Sequence, residues 1–154
     1  YDTSSALIHA RLATEYIKKG MLSAAMESCK EALRRDPQFL DARLILAGLY
    51  STSHENDSAL AEYDRVLKQD PRHEEAAVYK SQVLLETGRT AQATQVLRDF
   101  ARNNPESVLA WYHLARAEQA ANRYAEAVKA YEKTIELRPN FAQAGLALGY
   151  LHEE

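Results

Sequence analysis

The sequence has little of several features on which whole classes of proteins depend. Cys29 is the only cysteine among its 154 residues, so no internal disulfide can form and the redox state of the compartment stays open. No apolar run approaches the ~18 residues that a membrane-spanning helix needs, and the opening YDTSSALIHA lacks the basic-then-apolar pattern of a secretion signal. We therefore expect no direct membrane insertion, while cytoplasmic and periplasmic locations are both compatible. Because the chain begins with Tyr rather than Met, we expect a piece of a longer protein or a processed form.

The sequence also lacks an excess of charge of either sign. It has 22 Asp and Glu residues against 19 Lys and Arg residues, a formal net charge of −3. A surface that follows nucleic acid phosphates needs clustered excess Lys and Arg, and the doublets Lys18-Lys19 and Arg34-Arg35 are too short to supply it. We expect no nucleic acid partner.

Patterns typical of catalytic and metal centres are missing as well. None of the five histidines has a second histidine four residues further on, as a helical zinc site requires. There is no glycine-rich phosphate loop and no G-x-S-x-G turn for a nucleophilic serine. We therefore expect no metal, no other cofactor and no enzymatic activity from these residues.

The four prolines, in contrast, are regularly spaced. Pro37, Pro71, Pro105 and Pro139 follow one another at intervals of 34 residues, and shifting the sequence by 34 aligns long runs without a gap. Four units fill the ranges 6–39, 40–73, 74–107 and 108–141, after an extension at 1–5 and before a partial fifth unit or capping helix at 142–154. A repeat of this length is typical of a stacked array.

Each unit has the periodicity of helices. Apolar residues recur at three- and four-residue intervals on both sides of a short polar break. The break carries Gly20, Gly88 and Asn122 at equivalent places, and these residue types tolerate the left-handed conformation that closes a helix. Proline cannot continue the helix before it, so each unit is predicted to contain two helices.

Helices this short are marginal alone, so stacking must supply the core. Small residues recur where two helices would approach: Ala13, Ala25, Ala47, Ala59, Ser81, Ala93, Ala115, Ala127 and Gly149. The residues before three of the prolines, Asp36, Asp70 and Asn104, are expected to accept hydrogen bonds from free backbone amides nearby.

The units resemble the tetratricopeptide repeat family, whose 34-residue pattern is W-x2-L-G-x2-Y, then A-x3-F, then P. The fourth unit carries this pattern most fully, with Trp111, Leu114, Ala115, Ala127, Tyr131 and Pro139. The third departs most, with Lys80 in place of Leu and Leu97 in place of an aromatic residue. The resemblance implies an all-α fold, a right-handed α-solenoid of stacked antiparallel helix pairs.

The resemblance also implies that the first helices line a concave groove in which a ligand lies. The residues placed in this groove or at its edge are Arg11, Thr14, Asp41, Leu44, Ile45, Glu75, Val78, Tyr79, Gln82, Tyr112, His113 and Arg116. For Leu44 and Val78, a place in the core between repeats is an equal alternative. Tyr79, Tyr112 and Arg116 are better candidates because aromatic and Arg side chains predominate at interface hot spots.

Two further points concern the expected ligand. Asp41 and Glu75 would pair with a basic residue of the ligand, or would simply face solvent as exposed acids commonly do. One subset of the family holds the C-terminal carboxylate of chaperones with a Lys/Asn/Asn/Lys/Arg clamp, and no consecutive pair of repeats here supplies that set.

The function that the resemblance implies is a non-catalytic scaffold that binds a peptide segment or helix of a partner protein, in the assembly of a bacterial complex. The alternative is an accessory repeat region of a larger enzyme or signalling protein, which presents a substrate or mediates dimerisation. Self-association through the helix at 142–154 is also expected if that helix exposes Leu146, Leu148 and Leu151.

Overall fold

The computed structural model describes residues 2–153, and all regular structure in that range is α-helical. The nine helices of this range are α1 (Thr3–Lys18), α2 (Leu22–Arg35), α3 (Leu40–Thr52), α4 (Asn56–Gln69), α5 (Glu74–Glu86), α6 (Thr90–Asn103), α7 (Val108–Ala120), α8 (Tyr124–Leu137) and α9 (Ala142–Glu153). Successive helices pack as pairs, with α1 on α2, α3 on α4 and α7 on α8. The predicted all-α fold of paired helices is confirmed.

The helix starts can be compared with the predicted unit boundaries. Helices α3, α5, α7 and α9 begin at the first residues of predicted units two to five. As repeat boundaries these positions remain a prediction. The predicted extension at 1–5 is not separate from the first helix, since α1 begins at Thr3 and the Asp2 carboxylate caps it by accepting the Ser5 amide at 3.0 Å. Tyr1 and Glu154 lie outside the described residues.

The break between the two helices of each pair is closed by a residue in the left-handed conformation. Gly20, Gly88 and Asn122 have φ of 73°, 77° and 61°, as their residue types predict. His54 occupies the equivalent place in the second pair with φ of 60°, although histidine lacks glycine's conformational freedom. At all four breaks the next amide donates to the carbonyl five residues earlier, at 2.7–2.9 Å. The geometry of the break is therefore conserved between units even where the glycine is absent.

The residue before each proline ends a second helix. Asp36 accepts the amide of Gln38 and Asp70 accepts the amide of Arg72, both at 3.1 Å, as expected. The Asn104 side-chain amide donates to the Phe100 carbonyl at 3.1 Å. An asparagine side chain offers a donor as well as an acceptor, so it can add a second hydrogen bond to this carbonyl, which already accepts the Asn104 backbone amide at 2.8 Å.

The helices form two compact units, each of which is larger than a 34-residue repeat, and the division lies between residues 76 and 77. We call them the first unit and the second unit. Each unit has a core of its own, built largely of small residues. Eight of the nine predicted close-approach residues are at most 1% exposed. The exception is Gly149, which is exposed and would meet nothing within 4 Å if it carried a Cβ. The expectation was wrong there because no described residue packs on that face of α9.

Two buried glutamates tie neighbouring helices together. In the first unit the Glu62 carboxylate of α4 accepts Arg43 Nη1 of α3 at 2.8 Å and also bonds Arg65. In the second unit the Glu118 carboxylate of α7 accepts Arg98 Nη2 of α6 at 2.7 Å. Breaking a buried pair of this kind would leave an uncompensated charge, so these contacts hold the register of the helices.

Candidate functional site

In the first unit, the predicted groove residues of α1 and α3 differ in accessibility. Arg11, Thr14 and Asp41 are exposed, while Leu44 and Ile45 are half-buried. Ile45 packs against the core of the unit. A shallow cavity of about 410 Å³ on α1 is lined by Ile8, Arg11, Leu12, Thr14 and Glu15. Glu75, at the start of α5, is exposed.

In the second unit, α5 and α7 bring three predicted residues together. Gln82, His113 and Arg116 line one cavity of about 430 Å³. The other residues that line this cavity are Ser81, Leu85, Glu86, Thr90 and Ala120. Because Arg116, Glu86 and Ala120 are exposed, the cavity opens to solvent. We call it the α5/α7 cavity.

Two predicted residues of α5 lie outside this cavity. Val78 is 5% exposed, so the structure supports its place in the core and removes it from the accessible surface. Tyr79, the next residue, is 44% exposed. The difference follows from helix geometry, since consecutive residues point about 100° apart.

Tyr112 is held beside the cavity by neighbouring rings. Its ring centroid lies 4.9 Å from that of Phe141, 5.2 Å from that of His113 and 6.0 Å from that of Tyr131. The last of these rings is anchored in turn, since the Tyr131 hydroxyl donates to Gln119 Oε1 at 2.8 Å. Burial raises the pKa of Tyr131, Tyr112 adds to the rise and Arg116 opposes it. Tyr112 is therefore a half-buried and well-packed ring that adjoins His113 of the cavity lining.

Arg116 is the arginine that lines the α5/α7 cavity. Its guanidinium carbon lies 5.9 Å from the centroid of the Tyr112 ring, within the range of a cation–π contact. Arg98 and Arg123 both pair with the buried Glu118 carboxylate, with Arg123 Nε 3.3 Å from Oε2. No described carboxylate lies within 4.0 Å of the Arg116 guanidinium. Arg116 therefore presents a guanidinium with no described carboxylate partner within 4.0 Å at the mouth of the cavity, which Glu86 also lines.

Sequence reasoning missed part of the lining of the α5/α7 cavity. Leu85 and Glu86 follow Gln82 by three and four residues on α5, so helical periodicity would have found them. Thr90, at the start of α6, could not be found in this way. Its position depends on the turn that the left-handed Gly88 makes between the two helices.

The residues expected to mediate self-association are only partly available. On α9, Leu146 is 64% exposed, but Leu148 and Leu151 pack partly against the core of the second unit. Tyr150, which was not among the expected residues, is 65% exposed. The apolar surface of α9 is thus made by Leu146 and Tyr150, one helical turn apart.

The part of the chain that the structure describes lacks metal-ligand clusters, membrane-spanning helices and an accessible thiol. There, no three His, Cys, Asp or Glu side chains are grouped in a way that could hold a metal ion. None of the described helices combines the length and the apolar character needed to cross a membrane. Cys29 is fully buried, and burial raises the pKa of its thiol to about 12. It packs as a small apolar residue.

Two family models match the chain. The tetratricopeptide repeat model matches residues 16–82, and the model of anaphase-promoting complex, cyclosome, subunit 3, a family of the same repeat type, matches residues 52–134. This chain belongs to the tetratricopeptide repeat family. Tetratricopeptide repeats form protein-interaction scaffolds, and the resemblance predicted from the sequence is confirmed.

Two curated proteins share part of this tetratricopeptide repeat sequence. Cellulose synthase operon protein C of Komagataeibacter sucrofermentans is 25% identical over 121 residues, which are 79% of this chain and 9% of that protein. ER membrane protein complex subunit 2 of Xenopus tropicalis is 31% identical over 116 residues, 73% of this chain and 38% of that protein. The chain therefore spans well under half the length of these two relatives.

Solved structures of tetratricopeptide repeat proteins have the same fold. MamA of Desulfovibrio magneticus RS-1 matches with a TM-score of 0.78 at 21% identity, over 98% of this chain and 85% of that one. Pseudomonas aeruginosa PilF matches with a TM-score of 0.80 at 25% identity, over 96% of this chain and 68% of that one. At 21% identity the likeness to MamA concerns the fold alone.

Proposed function

We propose that this chain is a non-catalytic scaffold that binds an extended or helical segment of a partner protein against the first helices of its repeats. The observation that carries the proposal is the α5/α7 cavity, where Gln82, His113 and Arg116 meet beside the packed Tyr112. These residues come from two successive first helices, α5 and α7.

The form of the cavity favours a polymer over a small metabolite. Ligand pockets for small molecules commonly bury ~70–90% of the ligand surface. The α5/α7 cavity, about 430 Å³ in volume, is instead bordered by exposed side chains. A partner segment could place one or two side chains in it while its main chain stays on the surface. Leu85 and Ala120 offer apolar contact, and Gln82 and Arg116 offer donors at the edge.

The proposal also includes a more specific role, which is the assembly of a bacterial complex. The names of two matches, the anaphase-promoting complex subunit and the ER membrane protein complex subunit, describe subunits of multiprotein complexes. Cellulose synthase operon protein C and PilF come from bacteria. The accessory-region alternative concerns the rest of the parent protein and stays a hypothesis.

Truncation of Tyr112 tests the proposal. We expect Tyr112→Ala to lose about 2 kcal/mol of binding free energy, more than tenfold in affinity, because a central aromatic anchor is removed. The partner would be isolated from a lysate of the source cells and identified, and its purified segment would then be titrated against each variant by calorimetry. Circular dichroism and a thermal melt would verify that the helices are retained.

A matched control is available at Tyr124, an exposed tyrosine of α8 whose hydroxyl donates to Asn122 Oδ1, whereas Tyr112 lies against His113 and Arg116 of the α5/α7 cavity. Tyr124→Ala should leave the affinity unchanged. Equal affinities for wild type, Tyr112→Ala and Tyr124→Ala would show that the partner binds elsewhere on the protein.

A further inference from the structure

We infer that the partner segment carries one acidic side chain, Asp or Glu, which Arg116 binds at the α5/α7 cavity. This inference rests on the proposed function and adds the chemical class of the residue that the site selects. A carboxylate could also come from the C-terminus of a partner, and the experiment separates these two sources.

The first argument is the unpaired charge of Arg116. In the second unit, Arg98 and Arg123 are already committed to Glu118, at 2.7 Å and 3.3 Å. Among the described side chains, Arg116 has only the Tyr112 ring as a partner. A guanidinium presents a planar fork of donors that matches a carboxylate, and such charge-assisted pairs are stronger than neutral hydrogen bonds.

The second argument is that Arg116 is already oriented. The ring under its guanidinium cannot move freely, because Tyr112 packs on Phe141 and Tyr131. Tyr131 is itself buried and held by Gln119. An arginine that is stacked before binding loses less side-chain entropy when it pairs with a ligand. A carboxylate that reaches the mouth of the cavity therefore meets a donor whose position is largely set.

The third argument concerns the number of acidic groups that the site accepts. Glu86 lines the same cavity and is exposed, and it does not pair with Arg116. Glu86 repels every carboxylate that enters the cavity, and only one of them can be offset by pairing with Arg116, so the cavity accommodates at most a single acidic residue. Leu85 and Ala120 would accept an apolar neighbour of that residue. The absent Lys/Asn/Asn/Lys/Arg set makes a C-terminal carboxylate the weaker candidate, since a single arginine replaces five polar side chains.

The experiment is a selection from random dodecapeptides displayed on phage, with the C-terminus of each peptide joined to the coat protein so that only side chains supply carboxylates. Wild-type protein, Arg116→Gln and Arg138→Gln would be used as baits at low salt, where ionic contacts are least screened. Arg138 is the matched control, because its guanidinium also lies over a ring, 5.7 Å from that of Phe141, but outside the α5/α7 cavity.

We expect wild type and Arg138→Gln to enrich peptides with Asp or Glu at one position, and Arg116→Gln to lose that preference. For a synthetic peptide of the selected sequence, replacing the acid by its amide should weaken binding to wild type by about tenfold to a hundredfold. The same replacement should have little effect on binding to Arg116→Gln. This coupling distinguishes direct pairing from a general loss of structure.

The other outcomes contradict the inference about the acidic residue, the proposed function, or both. If the enriched peptides lack an acidic position, or if the preference survives in Arg116→Gln, the inference is wrong and the proposed function stands. Enrichment only from a second library with free C-termini would assign the carboxylate to a chain terminus, which also contradicts the inference. If wild type enriches no peptide from either library, peptide binding itself is refuted.

Discussion

Replacing Leu97 by Ala is the sharpest test of how the second unit is held together. Leu97, on α6, is 0% exposed and lies in a cluster with Leu114, Tyr131 and five alanines. Alanine side chains are fixed to the helix backbone and cannot move into the space that the shortened residue leaves. A Leu-to-Ala change in a core costs ~2–5 kcal/mol, more when the cavity cannot collapse. We therefore expect a loss of about 3–4 kcal/mol in the free energy of unfolding.

Urea denaturation followed by far-UV circular dichroism measures this loss. With an m value of ~2 kcal/mol per molar, the midpoint should fall by about 1.5–2 M. The control is Leu146→Ala on α9, which deletes the same atoms from a side chain that is 64% exposed, and it should change stability by less than about 0.5 kcal/mol. A loss below about 1 kcal/mol for Leu97→Ala would refute the argument that rigid alanine neighbours prevent collapse.

Two further predictions follow from the breaks and from the buried thiol. Gly88→Ala should destabilise the chain by about 1 kcal/mol, and His54→Gly should stabilise it by up to a similar amount, because both positions have positive φ and the cost of a Cβ there is ~1–2 kcal/mol. In thermal melts the midpoint temperature should fall for Gly88→Ala and rise for His54→Gly. A change in the same direction for both variants would contradict the strain argument. Cys29 should resist a disulfide reagent at pH 8 without urea, because burial raises the pKa of its thiol from 9.0 to about 12. Between pH 9.0 and about 12 the thiol is ionised in the unfolded chain but not in the folded one, so the free energy of unfolding should fall as pH rises. Denaturation midpoints measured between pH 8 and 10 should therefore fall less for Cys29→Ala than for wild type.

The repeat itself could be predicted in detail from the sequence. The interval of the prolines predicts where the second helix of each pair ends. Helices α2, α4, α6 and α8 each end two residues before a proline. Gly20, Gly88 and Asn122 predicted the left-handed breaks because their residue types tolerate that conformation. The left-handed conformation of His54 could not be predicted from its residue type. There the equivalence of position within the repeat was a better guide than residue type, because the hydrogen bonds of the turn impose the same φ.

Three of the eight residues that line the candidate site were predicted from the sequence, and the arrangement of the site was not. The resemblance to tetratricopeptide repeats placed Gln82, His113 and Arg116 in a groove, yet nothing local indicated that these three share a cavity while Val78 lies in the core. Nor could the resemblance show that Arg98 and Arg123 share the Glu118 carboxylate whereas no described carboxylate lies within 4.0 Å of Arg116. Arginines look alike in a sequence, and only the packing of α6, α7 and α8 decides which of them find a carboxylate.

The sequence by itself determined the all-α repeat, the helix ends and most of the small buried residues, because these depend on short-range backbone preferences and on a period that any unit repeats. The tertiary structure alone decided which side chains remain accessible and which charges remain unpaired. Gly149 illustrates the reason, since its counterparts Ala47, Ser81 and Ala115 are buried while it is exposed at the same place in the repeat. Burial depends on the neighbour that packs against a helix, and no residue carries that information within its own unit.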